Sequence, residues 1–104
     1  MVRSAGIMKV YKGKEDEYIK RHNEIWPELV KSIKEHGGSN YSIFLNRETG
    51  ELFSYLEIEN EEIWNKREGD ALTRKWWDYM ADLMETNPDN SPVFIPIEET
   101  FHLD

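Results

Sequence analysis

The periodicity of the apolar residues changes repeatedly along this chain, and the order of the changes leaves few folds open. From Arg3 to Tyr11 the side chains alternate, with Ala5, Ile7 and Lys9 against Ser4, Gly6, Met8 and Val10. That is the spacing of a strand buried on at least one face, and Gly6 in its middle lets another group come close to the backbone. From Glu15 to His36 the spacing becomes helical. Ile19, His22, Trp26, Leu29, Val30 and Ile33 form a broad stripe, with Lys and Glu opposite. Pro27 sits inside the stripe. It has no N–H to give to the carbonyl of Asn23 and it crowds that turn, so the helix is expected to kink or restart there. Gly37-Gly38 ends it. Tyr41, Ile43 and Leu45 then alternate with Ser42 and Phe44, Asn46 to Gly50 reads as a turn, and Leu52 to Glu59 alternates again. Together these predict an antiparallel hairpin. Asn60 is placed to cap a helix with Glu61 and Glu62 in its first turn. The helical pattern runs to about Met84 with a break near Gly69-Asp70. Asn87 to Pro92 reads as a rigid polar loop, and Thr100 to Leu103 as a short final strand.

The order strand, helix, strand, strand, helix, strand predicts one α+β domain over residues 1–104: a ferredoxin-like four-stranded antiparallel sheet with helices on one face. The other face of such a sheet is left bare. With four Trp, five Tyr and four Phe in 104 residues, the expected cover is the sheet of a second copy, giving a homodimer.

Charge and composition narrow the function. The formal net charge of −8 repels a phosphate backbone and an anionic membrane surface, so neither nucleic acid nor membrane is an expected partner. No run of eighteen apolar residues is present to span a bilayer, and Met1 to Ala5 lead into a strand pattern rather than a signal peptide. The chain has no cysteine, which removes disulfides, thiolate nucleophiles and cysteine metal sites and suits a cytoplasmic setting. His22, His36 and His102 lie far apart without the i, i+4 spacing of a metal pair, so no metal is expected. Glycine-rich phosphate loops and nucleophile elbows are absent too. A neutral, polar substrate fits what remains.

Three clusters can carry chemistry. On a helix Tyr18 stacks on the same face as His22, and His22 titrates near neutrality without a large shift. The pair reads either as an acid/base site or as two packed core residues, and periodicity alone favours the core reading. Trp76 and Trp77 point about 100° apart on a helix, so one can enter the core while the other faces an interface or a ligand; indole lies well on the C–H face of a sugar. The amides of the Asn87 to Pro92 loop are either a fixed connection or a lip over a pocket. Tyr41 is a cross-strand packing residue or a further ligand contact, and Glu57 faces a ligand or is paired at the sheet surface.

Taken together, Arg21-His22-Asn23 leading into Ile25-Trp26-Pro27-Glu28-Leu29, His36-Gly37, Asn40-Tyr41-Ser42-Ile43-Phe44-Leu45, Leu52-Phe53, Glu57-Ile58-Glu59, Trp64-Asn65, Trp76-Trp77 with Tyr79-Met80, and Asn87-Pro88-Asp89-Asn90-Ser91-Pro92-Val93 make the whole chain resemble the L-rhamnose mutarotase family. The departures lie elsewhere, at Glu68 to Leu72 and at Phe101 to Asp104. The resemblance implies a dimeric α+β barrel and a cytoplasmic, cofactor-free isomerase that exchanges the α and β anomers of L-rhamnose. It implies that His22 is the catalytic proton donor and that Tyr18, Tyr41, Trp76 and Trp77 contact the sugar. Two other readings share parts of the pattern: a cofactor-free monooxygenase of the dimeric α+β barrel class, and a non-catalytic sugar-binding domain.

Overall fold

The computed structural model describes residues 1–104. Strands β1 (Val2–Lys9), β2 (Gly38–Asn46), β3 (Glu51–Ile58) and β4 (Ile95–Ile97) form one antiparallel sheet in the order β2-β3-β1-β4. Helices α1 (Glu15–Asn23) and α2 (Pro27–Glu35) link β1 to β2. Helix α3 (Glu61–Asn65), a 3-10 turn (Lys66–Gly69) and helix α4 (Ala71–Met80) follow β3. This is the element order and sheet order of a split βαβ fold.

Pro27 restarts the helix rather than kinking it. It occupies the first turn of α2, where its missing N–H would have had no partner and its fixed φ is already helical. The proline holds Trp26 extended, at φ −63° and ψ 130°, and the Trp26 carbonyl accepts from the amides of Leu29 and Val30. The single stripe of the sequence is therefore delivered by two short helices set at different angles. Gly37 closes α2 at φ +85°, a conformation strained for any other residue. Asn60 caps α3 as expected, its side chain accepting from the Ile63 amide at 3.1 Å.

The helices lie on one face of the sheet. Met8 and Leu52 from the strands and Val10 just beyond β1 pack with Tyr18, Leu29, Trp76, Met80, Leu83 and Met84 in one buried cluster. Each fully buried aliphatic side chain there contributes roughly 1.5–3 kcal/mol. Gly6 faces the same way, and the ring of Phe94 lies where a Cβ would stand. This is the close approach that a glycine in mid-strand foretold, made by a ring from the chain's own last segment.

Two boundaries differ from the sequence reading. The second helical region stops at Met80, not Met84, because the chain turns to run beside the end of β1: the Tyr11 amide donates to Leu83 O and the Glu85 amide to Lys9 O. The last strand is Ile95–Ile97, paired with Ala5 to Ile7, while Thr100 to Leu103 forms no strand. Pro96 disguises the true strand in the sequence. It is tolerated because β4 is an edge, where one side of the backbone needs no partner.

The face away from the helices stays open. Register places Ile7, Phe44 and Phe53 side by side, flanked by Tyr55, Ile95 and Ile97. Phe44 is 64% exposed, Ile95 57% and Ile97 43%. Tyr41 and Ile43 belong to the other face, beneath the helices, where both line the cavity described next.

Candidate active site

A cavity of about 520 Å³ opens between the helices and the sheet. Tyr18, His22, Tyr41, Trp76 and Trp77 all line it, so the five residues singled out in the sequence come from three separate elements to one place. Asn90 and Pro92 of the polar loop reach it as well. Glu57 does not: it lies on the open face, accepting from Asn40 Nδ2 and from the Tyr55 hydroxyl, each at 2.9 Å. Those two donors, Asn40 first, hold its carboxyl below the usual range.

Helix α1 stacks Tyr18 and His22 one turn apart, with ring centroids at 4.4 Å, and the His22 ring meets Trp76 edge-on at 5.5 Å. His22 Nδ1 lies 3.2 Å from the Tyr18 carbonyl oxygen. A carbonyl only accepts, so in this contact Nδ1 carries the proton and the neutral ring keeps its lone pair on Nε2. Burial pushes the His22 pKa down, against a smaller upward pull from the Tyr18 carbonyl. The imidazole is thus held neutral, with one nitrogen fixed and the other free. Tyr18 is only 5% exposed. Burial raises its phenol well above the ordinary tyrosine value, with Tyr41 nearby adding to the shift. It stays a donor at any ordinary pH.

Tyr41 reaches the cavity through an irregularity in β2. Ser39 pairs with Glu57 and Ser42 with Tyr55, so Asn40 and Tyr41 together stand opposite Leu56. Asn40 takes up the bulge in the left-handed region, at φ +49°. Tyr41 as a whole is 43% exposed, yet its hydroxyl end is desolvated, which raises its pKa, while the Arg67 charge acts the other way.

The tryptophan pair divides as helical geometry requires. Trp76 points inward, 9% exposed, and packs edge-on against Trp26 at 5.0 Å; Trp77 is half-buried at the cavity wall. Two fastenings hold the frame. Arg21 donates to Glu17 and to Asp82, each at 2.9 Å, and lies over the Tyr79 ring, tying α1 to the end of α4. Asn90 Nδ2 donates to Asp78 at 3.0 Å, tying the polar loop to α4.

Residues 3–103 match the family model for L-rhamnose mutarotase. The chain belongs to the L-rhamnose mutarotase family. It is 54% identical to the L-rhamnose mutarotase of Lachnoclostridium phytofermentans and 52% identical to that of Bacillus subtilis, in each case over all 104 residues and the full length of both chains. The crystal structure of an L-rhamnose mutarotase from Formosa agariphila superposes with a TM-score of 0.93 at 42% identity, again covering both chains completely. Fold alone would leave the monooxygenase class open; membership of the mutarotase family, at this identity and coverage, does not rest on fold.

The sequence reading passed over one lining residue of consequence, Arg67. In the run Lys66-Arg67-Glu68 it looks like part of a solvated charged break, and nothing in the periodicity separates it from its neighbours. Only the 3-10 turn, which ends α3 early, sets it against the cavity.

Proposed function

We propose that the cavity holds L-rhamnopyranose and interconverts its α and β anomers by opening and reclosing the ring. The supporting observation is the state of His22: neutral, its Nδ1 committed to the Tyr18 carbonyl, and its Nε2 left with a lone pair. Nε2 takes the proton of the anomeric hydroxyl, the bond from the anomeric carbon to the ring oxygen breaks, and the imidazolium so formed returns that proton to the ring oxygen. Rotation about the bond between the first two carbons and the reverse transfers close the ring on the other face. The protonated imidazole is then the proton donor, so one histidine serves both directions. No atom is lost or gained overall, and no electron changes hands. Tyr18 and Tyr41 remain protonated and donate to sugar oxygens, while Trp76 and Trp77 touch the sugar from the wall, Trp77 offering its indole face to the C–H side of the ring. The test is anomer exchange on L-rhamnose by saturation-transfer NMR. Exchange no faster than in buffer refutes the reading.

The pH profile follows from the direction of the histidine shift. The base must be neutral, and the folded pKa lies below 6.5. Enzyme-dependent exchange should therefore be level from about pH 7 upward and fall only as pH drops through that lowered value. The raised phenol of Tyr18 delays any alkaline fall beyond the ordinary tyrosine range near 10. The check is kcat/KM against pH with the buffer rate subtracted; an acid limb centred above 6.5 contradicts it.

The working unit we infer is a homodimer, the open sheet faces meeting to form a dimeric α+β barrel. Ile7, Phe44, Phe53, Ile95 and Ile97 make a contiguous apolar surface of the kind a soluble monomer rarely exposes. A stable interface of this class buries over about 1,000 Å² in total. Light scattering should give twice the chain mass at micromolar protein, and Phe44→Glu should shift the mass to that of one chain. A wild-type monomer that is fully active rules the dimer out. No helix is long and apolar enough to cross a membrane, and action on a small sugar without cysteine chemistry suits the cytoplasm.

A further inference from the structure

The protein has five arginines, and four of them have a carboxylate partner. Arg3 pairs with Glu99, Arg21 with Glu17 and Asp82, Arg47 with Asp16 and Arg74 with Asp89. All four lie at the surface or partly open to it. The fifth, Arg67, is the one that lines the cavity. It forms no ion pair, in a chain with 21 carboxylates. Its Nε is buried and has no hydrogen-bond partner, the only such side-chain atom in the molecule. The guanidinium lies over Trp64, its central carbon 4.2 Å from the ring centroid. A cation held over an aromatic ring gains the ring's electrostatic attraction, but its N–H groups still have no hydrogen-bond acceptor. Burial disfavours its charge, a cost that Tyr41 and Asp70 only partly offset.

A half-buried cation whose Nε–H is shut off from water without an acceptor is expensive unless something supplies one. Here the cavity's occupant is the remaining source. We propose that Arg67 is a substrate-anchoring residue, its guanidinium donating to hydroxyl oxygens on the ring of the bound sugar. This rests on the mutarotase reading and adds to it a residue whose work is binding rather than proton transfer. A hydroxyl oxygen is a suitable acceptor: it is neutral, it has two lone pairs, and two neighbouring ring hydroxyls match the spacing of a planar fork. His22 acts at the anomeric carbon. Hydroxyls farther round the ring keep their charge throughout the reaction, so donors aimed at them bind ground state and transition state alike.

Such an interaction is seen in KM and not in kcat. Arg67→Met keeps an apolar stem beneath Trp64 and removes the donors. It should raise KM for L-rhamnose about 10- to 100-fold, the value of a hydrogen bond to a charged group, and leave kcat within about threefold of wild type. The 2-, 3- and 4-deoxy analogues of L-rhamnose locate the contact. At least one should lose about tenfold in kcat/KM with wild-type protein and lose nothing further with Arg67→Met. A purely structural arginine would lower the melting temperature and leave every deoxy penalty intact. Should the methionine variant not fold, Arg67→Lys retains stem and charge without the fork and carries the same analogue comparison. Wild-type protein that exchanges rhamnose anomers, together with folded Arg67 variants of unchanged KM or undiminished deoxy penalties, overturns the anchoring role alone. Wild-type protein without exchange activity overturns the mutarotase reading and this role with it.

Discussion

Replacing His22 by alanine is expected to leave the fold intact and to lower anomer exchange by at least about 10²-fold, with 10⁴-fold the upper range for one general acid/base. The fold should survive because the histidine is only partly buried. It stacks on Tyr18 and touches Trp76 edge-on, but it does not belong to the buried cluster that joins sheet to helices. Helix α1 keeps its acidic first turn of Glu15, Asp16 and Glu17, and Arg21 continues to tie it to Asp82. Alanine is in addition the best helix former. The rate should fall because no other lining side chain offers a neutral base near pH 7: both phenols are raised and stay protonated. Saturation-transfer NMR gives the exchange rate, and circular dichroism with a thermal melt reports the fold. A folded variant with near-normal exchange eliminates His22 as the proton carrier. A variant that no longer folds returns the histidine to the core-packing role that its helical spacing alone favoured.

What could be read from the sequence was whatever short-range pattern encodes. Alternation and helical spacing set out the split βαβ order, and Pro27 marked the restart between α1 and α2 because proline acts on its own turn alone. Tyr18 and His22 could be paired for the same reason, one helical turn apart. The convergence of Tyr41 and Trp76 on that pair is a tertiary fact: it depends on a bulge at Asn40 and on where α4 crosses the sheet, and here resemblance to a known family supplied what spacing did not. The last strand was placed too late because Pro96 breaks the strand pattern of Ile95–Ile97, and edge position, which makes that proline harmless, is invisible before the sheet is assembled. Arg67 was missed for a related reason. A cation in a charged segment reads as solvated, and its burial against Trp64 and the cavity exists only after the 3-10 turn has formed.

The two adjacent tryptophans should separate stability from binding. Trp76 is in the buried cluster with Leu29, Leu52 and Met80 and contacts the rings of His22, Trp26 and Tyr79. Truncating it leaves a large void that the helices on either side cannot fill, and Trp76→Ala is expected to cost about 3–5 kcal/mol of folding stability. Against a total of roughly 5–15 kcal/mol for a domain of this kind, that is a lowering of the melting temperature by about 15 °C or more. Trp77, half-buried at the cavity wall beneath Arg74, anchors much less. Trp77→Ala should melt close to wild type and weaken rhamnose binding, with a loss of about 1–3 kcal/mol if the indole covers the C–H face of the sugar. Melts at equal protein concentration, since a dimer's stability depends on it, and titration of the remaining tryptophan fluorescence with L-rhamnose distinguish the two effects. Equal melting temperatures for both variants would mean that Trp76 does not hold α4 to the sheet. Normal sugar affinity in Trp77→Ala would leave the aromatic wall of the site to Trp76, the other indole that lines the cavity.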